Sequence, residues 1–463
     1  MSARSRDAVP QQGGDARCEG LSYQALLDRD TREVPAVLRE VHAPELGSED
    51  IPAELFTSQA VHDLEMERMW CRTWQMVCRE EEIPETGDHH VYEIGHLSFI
   101  VARTEDGDIK AFYNSCLHRG RQLRDESGSV GEFRCPFHGF TWHLDGRLKE
   151  IPCRWDFPHL DERKSRLPEA RVGTWGGFVF INMDENAPPL EDYLGVVPEH
   201  FSRWPLEHTW KAVHVQKVIG CNWKLGLQAF IESWHSLETH PQILPYTADA
   251  NSQYDWWGDN VSRTITAMGS PSPHLKECAE QEILDALAHT SGRMSAGDTS
   301  AMQIPEGKSA REHMADINRA EFGKLYGMDL SHAADAEVLD AVLYSVFPNF
   351  IPWAGYNPNI VYRFRPNGSD CDSSIMDVMI LLRLAEGAER PDPVPARRLS
   401  ADEPWQTATE LGALGYIFDQ DMGNLPYVQK GLRTTRKGAI SLGNYQELRI
   451  RHFHRTLDKY LAN

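Results

Sequence analysis

Residues 113–142 read YNSCLHRGRQLRDESGSVGEFRCPFHGFTW, and this stretch places two thiols and two imidazoles in two short loops. Cys116 and His118 form a C-x-H pair, and Cys135 and His138 form a C-x2-H pair after sixteen intervening residues. Each half presents one soft thiolate and one borderline imidazole at the same place. Two hairpin tips brought together can therefore hold a single inorganic centre.

This donor set has two interpretations. Two Cys and two His are the ligands of a Rieske [2Fe–2S] cluster, in which two His replace two Cys on one iron. Zinc accepts the same donors in structural sites, where ligands are typically paired by kind as C-x2-4-C and H-x3-5-H. Because each half here mixes one Cys with one His, the spacing favours the iron–sulfur cluster, with zinc as the alternative.

The segment resembles the cluster-binding half of Rieske non-haem iron oxygenases. The resemblance rests on HRG after the first pair and CPFHG around the second. It implies that the cluster is bound by Cys116, His118, Cys135 and His138. Gly120 and Gly139 suit such loops, because backbone amides must turn toward the sulfurs and glycine accepts the dihedral angles that this requires.

Composition limits the possible partners and compartments. A chain of 463 residues is long enough for two or three domains, and its net charge of -22 argues against nucleic acid as a partner. No stretch approaches the roughly 18 apolar residues needed to span a bilayer, and the N-terminus has no apolar signal core. We expect a soluble, cytoplasmic protein without membrane contact. Seven of the nine Cys are scattered outside the motif and are interpreted as reduced thiols.

The pattern of apolar residues, glycines and prolines predicts an α+β protein in four segments. These are a partly disordered N-terminal arm (1–45), amphipathic helices that in the resembled family pack on the catalytic domain (46–74), an all-β Rieske domain (75–185) and a catalytic mononuclear iron domain (186–463). Strands are predicted at 91–94, 97–101, 111–113, 176–181, 214–219, 342–347, 360–364 and 374–382, and helices within 275–340 and 445–461. This order fits the family's helix-grip (START-like) antiparallel sheet with helices.

A second histidine pair lies in residues 222–242, NWKLGLQAFIESWHSLETHPQ. His235 and His240 are five residues apart, about 500° of rotation on a helix, so they would not align on one regular helix. A distortion or helix end between them is required, and Pro241 is consistent with a helix that ends at His240. Two surface or capping histidines are the alternative.

The resemblance assigns a role to this pair. N-W-K at 222–224, an acidic residue three positions before the first His, and H-x4-H-P follow the family's order. It implies that His235, His240 and a distant Asp bind Fe(II), and that Glu232 and Asn222 take part in catalysis. Asp421 precedes Gln-x-Gly-Leu by the expected eight residues, and Asp419 is the alternative. Two His and one carboxylate leave iron positions open for dioxygen and substrate.

Departures from the family pattern leave the substrate open. Gln228-Ala229 replaces Glu-Asn, and Trp234 replaces the usual Tyr before the first ligand. Trp256, Trp257 and a strand at 346–351 are candidate cavity walls, although core packing is the commoner role of such residues.

The resemblance implies the terminal component of an oxygenase that contains a [2Fe–2S] cluster and mononuclear Fe(II). Electrons from NAD(P)H would come through a separate reductase or ferredoxin, because the chain has no Gly-rich dinucleotide fingerprint. The reaction would be cis-dihydroxylation, monohydroxylation or demethylation of an aromatic or other hydrophobic substrate, in a homotrimer or an α3β3 assembly. The alternative is a non-enzymatic Rieske electron carrier with a ligand-binding domain, which would not need His235, His240 and Asp421.

Overall fold

The computed structural model describes residues 17–161, 165–290 and 303–462. Its strands are β1 (Ile51–Pro52), β2 (Gln75–Arg79), β3 (Asp88–Ile94), β4 (Leu97–Arg103), β5 (Ile109–Tyr113), β6 (Gly128–Ser129), β7 (Phe133–Arg134), β8 (Thr141–Trp142), β9 (Leu148–Glu150), β10 (Glu169–Trp175), β11 (Phe178–Asn182), β12 (Thr209–Ile219), β13 (Gln253–Trp257), β14 (Val261–Thr266), β15 (Ala341–Val346), β16 (Ile351–Ala354), β17 (Asn359–Asn367), β18 (Asp370–Arg383), β19 (Arg397–Leu399) and β20 (Ala439–Ile440).

The helices alternate with the strands mainly in the second half of the chain. They are α1 (Tyr23–Leu27), α2 (Ala36–Arg39), α3 (Glu54–Thr57), α4 (Gln59–Arg68), α5 (Leu190–Leu194), α6 (Val197–His200), α7 (Trp223–Ala229), α8 (Ser236–Thr239), α9 (Glu280–Thr290), α10 (Ala310–Tyr326), α11 (Asp335–Leu339), α12 (Leu414–Met422), α13 (Leu425–Thr434) and α14 (Leu448–Ala462). None of the helices in the described ranges has the length and apolar character needed to cross a bilayer.

The first half of the chain forms an all-β unit. Seven strands pair in the order β2-β11-β10-β5-β4-β3-β6, and β7-β8-β9 form a separate three-stranded sheet. The β3–β4 hairpin turns at Gly95, whose φ of 56° favours glycine. The predicted strands at 91–94, 97–101 and 111–113 lie within β3, β4 and β5.

The second half of the chain builds a sheet of eight strands in the order β13-β14-β15-β16-β17-β18-β12-β19. Neighbours are antiparallel except the short edge strand β19, which runs parallel to β12. Helices α7 and α14 pack against this sheet, and α14 buries Ile450, Phe453 and Leu457. The predicted α+β fold class, an all-β unit followed by a sheet with helices, is confirmed. Part of the predicted helical stretch 275–340 lies outside the described residues.

The N-terminal segment from residue 17 onward packs on the edge of the large sheet. Leu27 and Leu38 are fully buried, and the backbone N–H of Trp256 in β13 donates to the carbonyl of His42 at 2.9 Å. The backbone N–H of His42 donates in turn to Asp255 at 2.7 Å. This segment therefore covers strand β13, and residues 1–16 lie outside the description.

Buried ion pairs join helix α4 and the all-β unit to the eight-stranded sheet and its helices. In α7, Lys224 lies 2.5 Å from Glu65 of α4, and both side chains are fully buried. Lys211 of β12 lies 2.5 Å from Glu82, which follows β2. Because a buried charge without its partner is costly, these contacts fix how the helical segment and the all-β unit sit on the large sheet.

Candidate functional site

The two Cys/His loops have the same backbone design. The first loop follows β5 and the second joins β7 to β8. In each loop the Cys N–H donates to a carbonyl five residues later, from Cys116 to Arg121 and from Cys135 to Phe140, both at 2.8 Å. The N–H of the glycine four residues after each Cys donates back to the Cys carbonyl, at 2.9 Å and 3.0 Å. The loops are two copies of one tight turn.

These turns require glycine. Gly120 has φ of 75° and Gly139 has φ of 78°, in the left-handed region that costs other residues energy. A Cβ on Gly139 would lie 3.1 Å from the ring of Pro152. The expectation that these glycines adopt unusual dihedral angles is confirmed.

The four predicted cluster ligands converge between the loops. Cys116 and Cys135 are buried, and burial and the neighbouring Cys135 raise the pKa of Cys116. The rings of His118 and His138 lie 4.6 Å apart. Nδ1 of His118 is buried without a hydrogen-bond partner, as expected of a nitrogen that faces a metal. The donor set and this orphaned nitrogen fit a [2Fe–2S] cluster with two Cys and two His ligands.

The second histidine pair lies at the two ends of a single helical turn. Helix α7 ends at Ala229, and α8 begins at Ser236 with His235 as its N-cap and His240 as its C-cap. The predicted helix end at His240 is confirmed, whereas the chain breaks before His235 and the turn between the two histidines is helical. Because the histidines cap α8 instead of lying inside one regular helix, both rings can face one point.

Asp421, on α12, meets the histidines at that point. Nε2 of His235 lies 3.2 Å from Nε2 of His240, and Oδ1 of Asp421 lies 3.6 Å from the first nitrogen and 3.1 Å from the second. Ligands bonded to one metal at about 2.1 Å and at right angles lie about 3 Å apart. The three atoms therefore fit two His and one carboxylate on one face of a metal ion.

Glu232 orients His235. The Nδ1–H of His235 donates to Oε1 of Glu232 at 2.5 Å, and the backbone N–H groups of Trp234 and His235 donate to Oε2. Burial lowers the pKa of His235, but the charges of Glu232 and Asp421 outweigh burial and raise the pKa to about 9. Glu232 thus holds the proton on Nδ1 and leaves Nε2 toward the other candidate ligands.

An amide pair orients His240, and the sequence analysis did not find it. The Nδ1–H of His240 donates to Oε1 of Gln420 at 2.9 Å. Gln420 and Gln242 hydrogen-bond each other reciprocally, at 2.6 Å and 3.2 Å. The signal in the sequence is that Gln420 directly precedes Asp421, and Gln242 lies two residues after His240.

The alternative carboxylate points elsewhere. Asp419 accepts hydrogen bonds from the backbone N–H groups of Trp405 and Gln406 at 2.7 Å and 3.2 Å. Its oxygens therefore fix the segment before α12 instead of facing the histidines.

Asn222 also lies apart from the convergent atoms. Its side chain caps α7 by accepting from the N–H of Lys224 at 3.1 Å, and its amide donates to the carbonyl of Cys371 at 2.9 Å. These contacts give the side chain a capping role in α7, and its expected part in catalysis stays a prediction.

A cavity of about 180 Å³ opens beside His235, His240 and Asp421. Its apolar wall includes Phe230, Ile231, Leu343, Trp353, Ile360, Tyr362, Leu414, Ile417 and Phe418. The candidate wall residues Trp256, Trp257 and 346–351 are not part of this lining. Trp256 and Trp257 bind the N-terminal segment through their indole N–H groups, and 347–350 form a turn between β15 and β16.

A second cleft shares Glu232, His235 and Asp421 with this cavity. It is lined by Ala229, Glu232, His235, Glu238, Thr239, Asp421, Asn424, Leu425 and Val428. The cavity beside the cluster ligand His118 shares no lining residue with either space. The two candidate metal sites of one chain therefore do not share a cavity.

Comparison with known families gives two matches along the chain. Residues 73–161 match the Rieske [2Fe-2S] domain, and residues 199–463 match the ring hydroxylating alpha subunit catalytic domain. The second match alone covers more than half of the chain.

Curated relatives include two kinds of oxygenase. The chain is 33% identical over 193 residues to the chlorobenzene dioxygenase alpha subunit of Cupriavidus sp., which covers 40% of this chain and 43% of that protein. It is 25% identical over 317 residues to the glycine betaine monooxygenase oxygenase subunit of Pseudomonas aeruginosa, which covers 67% and 74%. The chain thus spans less than half the length of the first of these relatives.

Solved structures support the fold. A naphthalene 1,2-dioxygenase with bound indole has a TM-score of 0.64 at 18% identity, over 92% of this chain and 94% of that one. A quaternary ammonium Rieske monooxygenase has a TM-score of 0.62 at 19% identity, over 89% and 95%.

Proposed function

The chain belongs to the ring-hydroxylating oxygenase alpha subunits, which combine a Rieske [2Fe-2S] domain with a mononuclear iron catalytic domain, and from this premise we propose that it is the terminal component of an oxygenase system. It would use dioxygen and electrons that originate from NAD(P)H to hydroxylate an aromatic or other hydrophobic substrate. The observation that carries the proposal is the convergence of His235, His240 and Asp421 beside an apolar cavity.

The residues around this point support the assignment of roles. Iron held by His235, His240 and Asp421 would supply dioxygen activation, because three ligands on one face leave other positions open. Glu232 and Gln420 each keep a proton on Nδ1 of a histidine, so both Nε2 lone pairs face the metal position. The apolar wall would exclude water and hold the substrate beside that position.

The cluster would be held by Cys116, His118, Cys135 and His138 and would accept electrons from a separate reductase or ferredoxin. This division of labour is supported by the two Cys/His loops, which lie in a different unit from the cavity.

We also propose a head-to-tail assembly, as a homotrimer or α3β3, in which the cluster of one subunit meets the iron site of the next. Five of the ten exposed large apolar side chains of the described residues adjoin the two candidate metal sites. They are Leu117 and Phe137, each next to a cluster ligand in the chain, and Trp234, Tyr427 and Val428 near the cleft of Glu232. Glu232 would bridge His235 of its own subunit and His138 of the next one.

The reaction would be cis-dihydroxylation, monohydroxylation or demethylation. Relatives are named for substrates as different as chlorobenzene and glycine betaine. The substrate class therefore has to be inferred from the cavity. It is slightly larger than an engineered cavity of about 150 Å³ that binds benzene, which supports a compact hydrophobic substrate. Product analysis with a panel of small arenes and aryl ethers would distinguish the reaction types.

Paired Asp variants test the proposed function. Asp421→Ala should abolish product formation and iron binding at the second site, while the visible spectrum of the cluster stays intact. Asp419→Ala is the matched control, because this residue lies on the same helix but bonds the 405–406 backbone. If Asp421→Ala keeps full turnover and Asp419→Ala does not, the carboxylate is misassigned. If neither variant loses product or iron, the proposed site is wrong.

A further inference from the structure

Arg449 of α14 is a fully buried cation without an anionic partner. Its exposed fraction is 0%, and among the described residues no carboxylate forms an ion pair with it. By contrast, the buried Arg263 and Arg311 lie 2.7 Å and 2.6 Å from Asp255 and Asp340. A buried charge without a counter-charge is costly, so the position of Arg449 calls for an explanation.

The guanidinium bonds only neutral groups, and one of them lies in the cavity wall. Nη1 donates to Oγ1 of Thr264 at 2.6 Å, and Thr264 lines the cavity. The remaining acceptors are the hydroxyls of Ser262 and Ser345 and the carbonyl of Ile231, at 3.0 Å, 2.6 Å and 3.3 Å. Arg449 therefore lies one hydroxyl away from the space where a substrate would bind.

The hydroxyl of Thr264 has only one long hydrogen bond to give up when it donates to a ligand. Its own proton goes to the carbonyl of Ile231 over a long 3.3 Å contact. A hydroxyl that accepts a hydrogen bond from a cation becomes a stronger donor, since hydrogen bonds in a chain polarise one another. Burial lowers the pKa of Arg449 to about 9, so the guanidinium stays protonated at neutral pH.

The cavity lining contains both hydroxyl groups and aromatic rings. Ser233, Thr247, Thr264 and Thr266 contribute hydroxyls, and Phe230, Trp353, Tyr362 and Phe418 contribute aromatic rings. The only carboxylates in the lining are Glu232 and Asp421, which belong to the proposed metal site. No lining carboxylate remains to pair with a cationic substrate, whereas a buried cation bonds the hydroxyl of Thr264.

We propose that Thr264, backed by Arg449, is a recognition site for an oxygen acceptor on the substrate. The substrate class is then an arene that carries a carbonyl, carboxylate or similar oxygen, as opposed to a plain hydrocarbon or a quaternary ammonium compound. This inference rests on the proposed function only in taking the cavity as the substrate site. A purely structural role, in which Arg449 ties α14 to β14 and β15, predicts no dependence on the chemistry of the ligand.

Three probes of similar size separate these possibilities. Indane, 1-indanone and phenyltrimethylammonium should be titrated by calorimetry into the iron-loaded protein without dioxygen. We expect 1-indanone to bind about tenfold more tightly than indane, the gain of one hydrogen bond from Thr264, and phenyltrimethylammonium to bind more weakly than either. Equal affinity for ketone and hydrocarbon, tighter binding of the cation, or no binding of the ketone would overturn the proposal.

Threonine variants locate the effect. Thr264→Val should remove the preference for the ketone, and Thr264→Ser should keep it. Thr247→Val is the matched control, because this threonine also lines the cavity but its hydroxyl contacts Met268 Sδ at 3.9 Å and no cation. A preference that survives in Thr264→Val, or is lost equally in Thr247→Val, would refute the role of Thr264. The binding measurements need no turnover, so they succeed or fail independently of the proposed oxygenase activity.

Discussion

Replacing Gln420 with Ala tests whether the amide pair sets the metal affinity of the second site. His240 is 3% exposed, and its Nδ1–H has Gln420 as acceptor. In the metal-free protein the ring of His240 can turn to find another partner, but a bound metal at Nε2 fixes it. The cost of the missing acceptor therefore falls mainly on the metal-bound state.

The magnitude follows from this geometry. An orphaned buried donor costs about 1–3 kcal/mol, and lost outer-shell partners weaken metal binding about 10–100-fold. Gln420 and Gln242 are only half-buried, so water can replace part of the lost bond. We therefore expect the lower end of the range, about tenfold weaker Fe(II) binding, or about 1.4 kcal/mol.

The assay is anaerobic equilibrium dialysis against chelator-buffered Fe(II), with the cluster content checked by its visible spectrum. Gln420→Glu should bind iron at least as tightly as the natural protein, because a carboxylate is the stronger acceptor. Gln406→Ala is the matched control, since Gln406 bonds Asp419 at 3.0 Å. The reasoning fails if Gln420→Ala binds within twofold of the natural protein, or if Gln406→Ala weakens binding equally.

Three further predictions concern other parts of the chain. Glu232→Gln should leave both metal centres loaded but slow reoxidation of the reduced cluster by dioxygen and substrate about 10–100-fold; an unchanged single-turnover rate would remove Glu232 from the subunit bridge. Burial lowers the pKa of His452 to about 4, and burial with the nearby Lys224 lowers that of His454 to about 3. Histidines of the unfolded chain titrate near 6.5, so as the pH falls they bind protons before the two buried histidines do. The contribution of these two residues to the free energy of unfolding should be complete above that pH and lower by about 4 kcal/mol at pH 5, about 2 kcal/mol per residue. Calorimetry should show a falling Tm, with about half the loss in His454→Gln, and a constant Tm from pH 8 to 5 would contradict this. Cys135→Ser should eliminate the cluster's visible absorption and labile sulfide, whereas Cys153→Ser, at an exposed thiol in the same unit, should retain both; loss in both variants would point to a folding defect.

The features that the sequence predicted are those encoded locally. The two Cys/His loops lie within thirty residues of each other, and their glycines take the positive φ angles that the turns require. The helix end at His240 followed from helix geometry and Pro241. Each of these conclusions needed only spacing and residue type.

The features that the sequence missed depend on contacts across the fold. Gln242 and Gln420 are 178 residues apart, and Arg449 is 185 residues from Thr264. No local pattern marks such pairs. Similarly, the sequence does not show what the indole rings of Trp256 and Trp257 contact. In the structure both bind the N-terminal segment.

The N-terminal segment also protects the protein against self-association through its sheet. β13 is the last strand on its side of the eight-stranded sheet, and a bare edge strand recruits strands from other molecules. The carbonyl of His42 takes the N–H of Trp256, and Arg263 donates to the carbonyls of Val37 and Glu40. A shortened chain that begins after residue 45 would lose this cover and also expose Trp256 and Trp257. Such a chain would aggregate edge to edge even with both metal sites intact, so expression of the isolated domains should retain residues 17–45.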